Sequence, residues 1–314
     1  MDSFFLRRLV GLVLGGALAL LGGGLSAQTA AVPERSIFGR LAPEARAAYE
    51  VGAIRLWAGD APGARGTAAK DIPLLYPVGR ADGGARPARP AMIVLAGGSY
   101  QFHSAAEAFP IAEQSRDAGM AAFVLQYRLL PDYDPMVAAL ADVQRAVRVL
   151  RARAAELGID PERIAVLGFS AGAHLAAHLS VRGDDGKADA QDPVERQSCR
   201  MRTEILFYPP IVAREVPRQR PERALGWLIA QPGLHRLVDA RTAPTFMITG
   251  YDDDQVPYDN CLVHAARLHE AGVRFELHLL GAGGHGGQVR EARRAEWTPL
   301  VLHWLADVGM TARP

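Results

Sequence analysis

Short apolar runs with little polar alternation recur along the chain after Pro90: Met92–Ala96, Ala121–Leu125, Ile164–Leu167, Ile205–Tyr208 and Phe246–Thr249. Runs of this kind predict strands buried on both faces, as in a parallel sheet. Phe275, Leu277 and Leu279 alternate with Glu276 and His278, which predicts a strand with one wet face near a sheet edge. Helical periodicity lies between the runs. Ser104-x-x-Glu107 has the spacing of a capping box. Asp134 and Pro135 suit N-cap and N1 of the next helix, over which Val137, Leu140, Val143, Val147, Leu150, Ala154 and Leu157 recur, with Gly158 at C′. Leu262, Ala265, Ala266 and Leu268 mark another helix that Gly272 ends, and Leu300 to Leu305 mark the last. Strand–helix alternation on this scale predicts an α/β fold. Its sheet is mostly parallel and doubly wound, with helices on both faces. The irregular, Arg- and Pro-bearing stretch 210–242 reads as a small insertion over the sheet, a minimal cap.

The pattern differs before the sheet. Arg7 and Arg8 precede an uncharged apolar run, Leu9 to Leu25, followed by small Ser26 and Ala27 and polar Gln28. This is the layout of a bacterial secretory signal peptide over 1–27. The expectation is cleavage after Ala27 and a periplasmic or secreted protein that meets the membrane only through its leader. An uncleaved anchor is the alternative, and the arginine pair leaves Sec and twin-arginine export both open. Residues 28–55 read as a loose N-terminal arm, and 56–314 as one α/β domain.

Composition narrows the function classes. The 35 Lys+Arg against 34 Asp+Glu give a net charge of +1, so no basic footprint for nucleic acid is present. Two cysteines, Cys199 and Cys261, are too few for a disulfide scaffold or a zinc knuckle.

Gly168-Phe169-Ser170-Ala171-Gly172 directly follows a predicted strand and precedes a predicted helix. That is the context a Gly-x-Ser-x-Gly nucleophile elbow requires. A serine needs a base. His285 stands in the glycine-rich stretch 281–287 at the carboxyl end of the last strand, where it can swing over the sheet's top edge. His174 and His178 fall on the helix after Ser170 and read as packing residues. The acid that orients the base should follow the Phe246–Thr249 strand, where Asp252, Asp253 and Asp254 are adjacent. Asp253 is preferred on the spacing Asp-x-x-Val-Pro to Val256 and Pro257, with Asp254 second and Asp252 third. A solvated acidic turn or a calcium site is the bland reading of this run. Backbone N–H donors for a developing oxyanion are assigned to Ala171 and to Gly98 and Ser99 in the loop after Met92–Ala96. Tyr100 and His103 are candidate substrate contacts, His103 by its place near the oxyanion loop.

Together these residues resemble the α/β-hydrolase superfamily. More narrowly they are similar to bacterial secreted carbohydrate esterases of the acetylxylan/feruloyl esterase-like branch, often labelled acetyl esterase or xylanase. The resemblance runs from about Leu56 to Trp304. It is carried by Ala96-Gly97-Gly98-Ser99-Tyr100, Gln126-Tyr127-Arg128, Asp142, the elbow around Ser170, Asp253 with Val256-Pro257, and Gly283-Gly284-His285-Gly286. Ala96 and Ser99 stand where the family usually has Pro and a third Gly. Ala106-Glu107-Ala108 replaces its His-Glu-Gly, and Gly287-Gln288 replaces Phe-Gly after the histidine. These departures are expected to line the substrate side and to alter the substrate, not the chemistry.

The resemblance implies an α/β-hydrolase fold and a serine esterase that removes short acyl groups, acetyl above all, from a carbohydrate or polyol. Ser170, His285 and Asp253 form its triad, with no metal and no organic cofactor. The implied partner is a small-molecule or glycan ester. In such a fold Cys199 would precede one strand at its amino end and Cys261 would follow the acid loop, so no disulfide is expected. A dienelactone hydrolase would usually carry Cys at Ser170, and a peptidase of this fold usually brings a propeller or large cap. A non-catalytic binding protein would have a broken triad.

Overall fold

Each unalternated apolar run becomes a strand whose neighbours cover both of its faces. The computed structural model describes residues 37–39, 41–79, 87–212 and 233–312. The leader and most of the expected insertion over 210–242 lie outside the described residues. The strands are β1 (Ile54–Arg55), β2 (Leu74–Val78), β3 (Arg89–Leu95), β4 (Ala121–Gln126), β5 (Ile159–Phe169), β6 (Thr203–Phe207), β7 (Thr245–Gly250) and β8 (Phe275–Leu280). They form one sheet in the order β1-β2-β4-β3-β5-β6-β7-β8. β1, β2 and β4 pair antiparallel, and every pair from β4 to β8 is parallel.

The period of two along β3 divides its side chains between two cores. Ala91, Ile93 and Leu95 face one, with α3 (Ala138–Ala152), α5 (Ala171–Arg182) and α6 (Asp259–Glu270). Met92 and Val94 face the other, with α2 (Phe109–Asp117) and α7 (Glu291–Asp307). Helices therefore cover both faces, as the alternation predicts. Among the described residues no helix is long and apolar enough to cross a membrane.

Several local expectations are corrected. The arm over 28–55 is not loose where it is described: α1 spans Pro43–Glu50, and Ile37 and Phe38 are buried. Phe38 stacks on Phe109 and meets Tyr76 edge-on, so the arm is part of the second core. The long helix after Pro135 starts only at Ala138. Asp134 caps the preceding turn by accepting the Met136 N–H at 2.9 Å. The helix breaks at Arg153, and a separate short α4 (Ala154–Leu157) ends at left-handed Gly158. Leu262 points to solvent, and the inward face of α6 is Cys261, His264, Ala265 and Leu268. Ser104 and Glu107 do not form a capping box. A short 3-10 turn, Ala105–Glu107, has no side-chain cap, and the Glu107 carboxylate is turned inward. β8 is the edge strand, as its alternation predicts, although its faces are not cleanly wet and dry, because His278 packs on Phe246. Cys199 and Cys261 are buried free thiols.

Candidate active site

The parallel strands end on one edge of the sheet, and the loops that leave them there carry the predicted chemistry. β5 ends at Phe169 and α5 begins at Ala171, so a single residue, Ser170, makes the whole turn. It does so at φ +48° and ψ −116°. A non-glycine residue in that region costs about 1–3 kcal/mol and persists only where its surroundings enforce it. The enforcing neighbours are glycines. A Cβ on Gly168 would meet the Gly172 carbonyl oxygen at 2.3 Å, and one on Gly172 would meet the Leu95 carbonyl oxygen at 2.2 Å. The Ser170 N–H donates to the Phe207 carbonyl at 3.0 Å, which ties the turn to β6.

The structure brings Ser170, His285 and Asp253 into one hydrogen-bonded line. His285 Nε2 lies 2.9 Å from Ser170 Oγ, and His285 Nδ1 lies 2.8 Å from Asp253 Oδ2. The Asp253 carboxylate is fully buried, whereas the imidazole keeps a small exposed edge. Asp253 Oδ1 accepts the N–H groups of Gln255 at 3.0 Å and Val256 at 2.8 Å. That accounts for the Asp-x-x-Val spacing: the residues after the acid fold back to hold it. The other two aspartates take different places. Asp252 accepts the N–H groups of Gly283 and Gly284, at 3.1 and 2.8 Å, and so shapes the loop that carries His285. These backbone bonds hold its carboxyl below the usual range. Asp254 is exposed. Among the described residues no group of three or more His, Cys, Asp or Glu side chains is placed to hold a metal ion.

The loop after β3 has three consecutive positive φ values: Gly98 at +126°, Ser99 at +54° and Tyr100 at +59°. The Gly98 carbonyl accepts from Gln101 at 2.8 Å, and the Gly97 carbonyl accepts from Ser104 at 3.0 Å, so the loop is internally braced. A turn of this kind directs successive N–H groups toward one side. Gly97 packs directly behind the serine, because a Cβ there would lie 3.0 Å from Ser170 Cβ and 2.7 Å from the Phe169 carbonyl oxygen. Gly98 and Ser99 are half-buried. Ala171 is the first residue of α5, so its N–H has no acceptor within the helix.

Two expected substrate contacts are corrected. Tyr100 is fully buried, and its hydroxyl lies 2.9 Å from His174 Nδ1 on α5. The left-handed backbone at Tyr100 turns the ring into the core. His103 is also buried, edge-on to Tyr127 at 4.5 Å, and burial pushes its imidazole down to about 3. It borders a cavity of about 410 Å³ at the β2–β4 end, and neither Ser170 nor His285 lines that cavity. The family departures are mostly not on a substrate side either, since Ala96, Ala108, Gly287 and Gln288 are buried. His174 and His178 lie on α5 as expected, and burial lowers them to about 3 and about 4.

Sequence reasoning missed two neighbours of the site, Tyr208 and Glu107, and the role of a third, Asp252. Tyr208, at φ +40°, sets its ring edge-on to His285 at 4.7 Å. Glu107 accepts the Tyr208 hydroxyl and the Gly97 N–H, both at 2.8 Å. Asp252 braces the histidine loop. The Glu107 signal was present but mimicked a capping box, and nothing in the sequence marks Tyr208 beyond its place at a strand end.

A strand–serine–helix elbow at the carboxyl edge of a mostly parallel eight-stranded sheet, with an acid and a histidine on later loops, defines an α/β hydrolase. The chain belongs to the BD-FAE family, whose profile matches residues 82–268. It is 29% identical over 212 residues to the acetylxylan esterase of Xylanibacter ruminicola, covering 64% of this chain and 41% of that one. The crystal structure of an acetyl ester-xyloside bifunctional hydrolase from Caldicellulosiruptor lactoaceticus shares 34% identity at a TM-score of 0.71, covering 83% of this chain and 97% of that chain. Thermogutta terrifontis esterase 2, solved phosphonylated by sarin, shares 27% identity at a TM-score of 0.66, covering 82% and 99%. The chain spans between 32% and 61% of the length of the curated relatives it matches.

Proposed function

We propose that the protein removes short acyl groups, acetyl first among them, from a carbohydrate or related polyol through an acyl-enzyme on Ser170. The observation that carries this reading is the unbroken line from Ser170 Oγ through His285 to Asp253, with links of 2.9 and 2.8 Å. His285 takes the Ser170 proton as Oγ attacks the ester carbonyl. Asp253 holds the imidazole by Nδ1, fixes its tautomer and stabilises the imidazolium. The N–H groups of Gly98, Ser99 and Ala171 receive the oxyanion. His285 then protonates the leaving alcohol, activates a water, and the acid leaves. No step calls on a metal or organic cofactor.

The substrate class is supported by relatives named for acetylated xylan and acetyl ester-xyloside hydrolysis. An acetylated plant polysaccharide is met outside the cell, in keeping with the leader-like pattern of residues 1–27. The test is turnover of acetylated xylan against nitrophenyl esters of rising acyl length. The reading expects release of acetate from the polysaccharide and a rate that falls steeply beyond short acyl chains. Long-chain preference with no acetate released would overturn the substrate assignment.

A further inference from the structure

The Glu107 carboxylate is buried beside the centre, yet the reaction steps above do not use it. It is 6% exposed and lies behind the serine, within 2.7 Å of where a Cβ on Gly97 would stand. Its two oxygens hold two different loops. Oε2 accepts the Gly97 N–H at 2.8 Å, and Oε1 accepts the Tyr208 hydroxyl at 2.8 Å.

Each partner leads to a part of the proposed machinery. With the Gly97 N–H turned inward to the carboxylate, the next N–H groups of the loop, those of Gly98 and Ser99, remain for the oxyanion. Tyr208 follows Phe207, whose carbonyl accepts the Ser170 N–H, and its ring packs on His285. Tyr208 holds a positive φ of 40°, a conformation a tyrosine adopts only where its side chain and backbone are tied. The ties are its hydroxyl on Glu107 and its N–H on the Ile248 carbonyl at 2.8 Å. Burial raises the Glu107 carboxyl above its usual range, against the bonds from Tyr208 and Gly97, which favour the charged form.

We propose that Glu107 is a positioning residue for ester hydrolysis, one buried carboxylate that clamps the oxyanion loop through Gly97 and the wall of the catalytic base through Tyr208. This rests on the Ser170–His285–Asp253 reading above. The clamp acts on groups whose bonds strengthen in the transition state, so its loss falls on kcat and leaves KM nearly unchanged. A carboxylate with only a packing role would change the melting temperature and spare kcat in the folded protein.

The experiment compares Glu107→Ala, Glu107→Gln and Tyr208→Phe with the full chain and with Ser170→Ala, on nitrophenyl acetate. Glu107→Ala is expected to lose roughly 30- to 100-fold in kcat with KM within about threefold. Glu107→Gln keeps an acceptor for Gly97 and an N–H for the Tyr208 oxygen, so it recovers to within about fivefold of the parent. Tyr208→Phe, which removes one arm, is expected to lose about 5- to 10-fold in kcat. A folded Glu107→Ala with kcat within threefold of the parent overturns the proposal, as does a Glu107→Gln no better than Glu107→Ala. If Glu107→Ala does not fold, a Tyr208→Phe with parental kcat overturns it alone. Retained activity in Ser170→Ala would instead sink the underlying reading, whatever the Glu107 variants do.

Discussion

Asp253 holds His285 with one carboxylate oxygen and its own loop with the other. Oδ2 meets the imidazole at 2.8 Å, while Oδ1 collects the N–H groups of Gln255 and Val256. Orientation of the base is therefore built into a single buried side chain. Asp253→Asn should place an amide against Nδ1 and favour the wrong tautomer, with a fall of about 10³–10⁴ in kcat. Asp254→Asn, at an exposed position, should stay within twofold. Steady-state kinetics on one ester settles the ranking, and a larger loss from Asp254→Asn would contradict it.

Asp252 predicts an intermediate effect. It touches neither Ser170 nor His285 but holds the two glycine N–H groups before the histidine. Asp252→Ala should reduce kcat about tenfold by loosening that loop. Parental kinetics in this variant would show that the loop is held by other means.

The elbow glycines predict a loss of fold, not of chemistry alone. Gly172→Ala puts a methyl 2.2 Å from the Leu95 carbonyl oxygen, which is backbone and cannot swing away. Destabilisation of about 3 kcal/mol or more is expected in urea unfolding. Gly281→Ala, where nothing lies within 4 Å of the added Cβ, is the control and should be close to neutral.

Stability should fall with rising pH through Glu204, far from the site. This residue is fully buried in β6. Burial pushes its carboxyl from 4.5 to about 7, against the 2.8 Å hydrogen bond from the Thr245 hydroxyl. The folded state thus holds the proton more tightly than the unfolded chain. The contribution is complete below the ordinary glutamate range and is lost as pH rises through about 7. Its size is on the order of 3 kcal/mol. Glu204→Gln should flatten that part of the profile when unfolding free energies are compared at mildly acidic and mildly alkaline pH. An unchanged slope would contradict the assignment.

The buried Arg128–Asp142 pair predicts a cost of partner removal. The guanidinium meets Asp142 Oδ1 at 2.7 Å and also donates to the Pro62 carbonyl at 2.7 Å, with both side chains sealed from water. Asp142→Ala strands a buried cation and should cost about 3–5 kcal/mol. Chemical unfolding measures it directly, and a cost under 1 kcal/mol would show that water reaches Arg128.

The strands and the serine were readable because their causes are local. An apolar run sealed on both faces needs no alternation, and a Gly-x-Ser-x-Gly turn needs its glycines whatever surrounds it. His285 and Asp253 were readable as positions because loops at the carboxyl ends of parallel strands share one edge. Which aspartate faces the histidine depends on backbone N–H groups folding back, and the Val256 spacing carries that information only indirectly. Tyr100 misled because three left-handed residues in a row turn its ring inward, and only Gly98 among them advertises such a backbone. Glu107 misled because Ser-x-x-Glu is the same string whether the carboxylate caps a helix or reaches Gly97 and Tyr208 across the sheet edge. Gln288 is expected on the substrate side, yet it is fully buried, with its backbone carbonyl accepting the Trp297 indole N–H at 2.7 Å.

The central claim is a covalent acyl-enzyme on one serine. Peptide mass spectrometry of the chain quenched in acid during nitrophenyl acetate turnover tests it most directly. The account predicts a single acetyl group on the peptide that holds Ser170, absent when Asp253 and His285 are intact but Ser170 is alanine. Acetyl on a different residue, or turnover that persists in Ser170→Ala with no adduct, would contradict it.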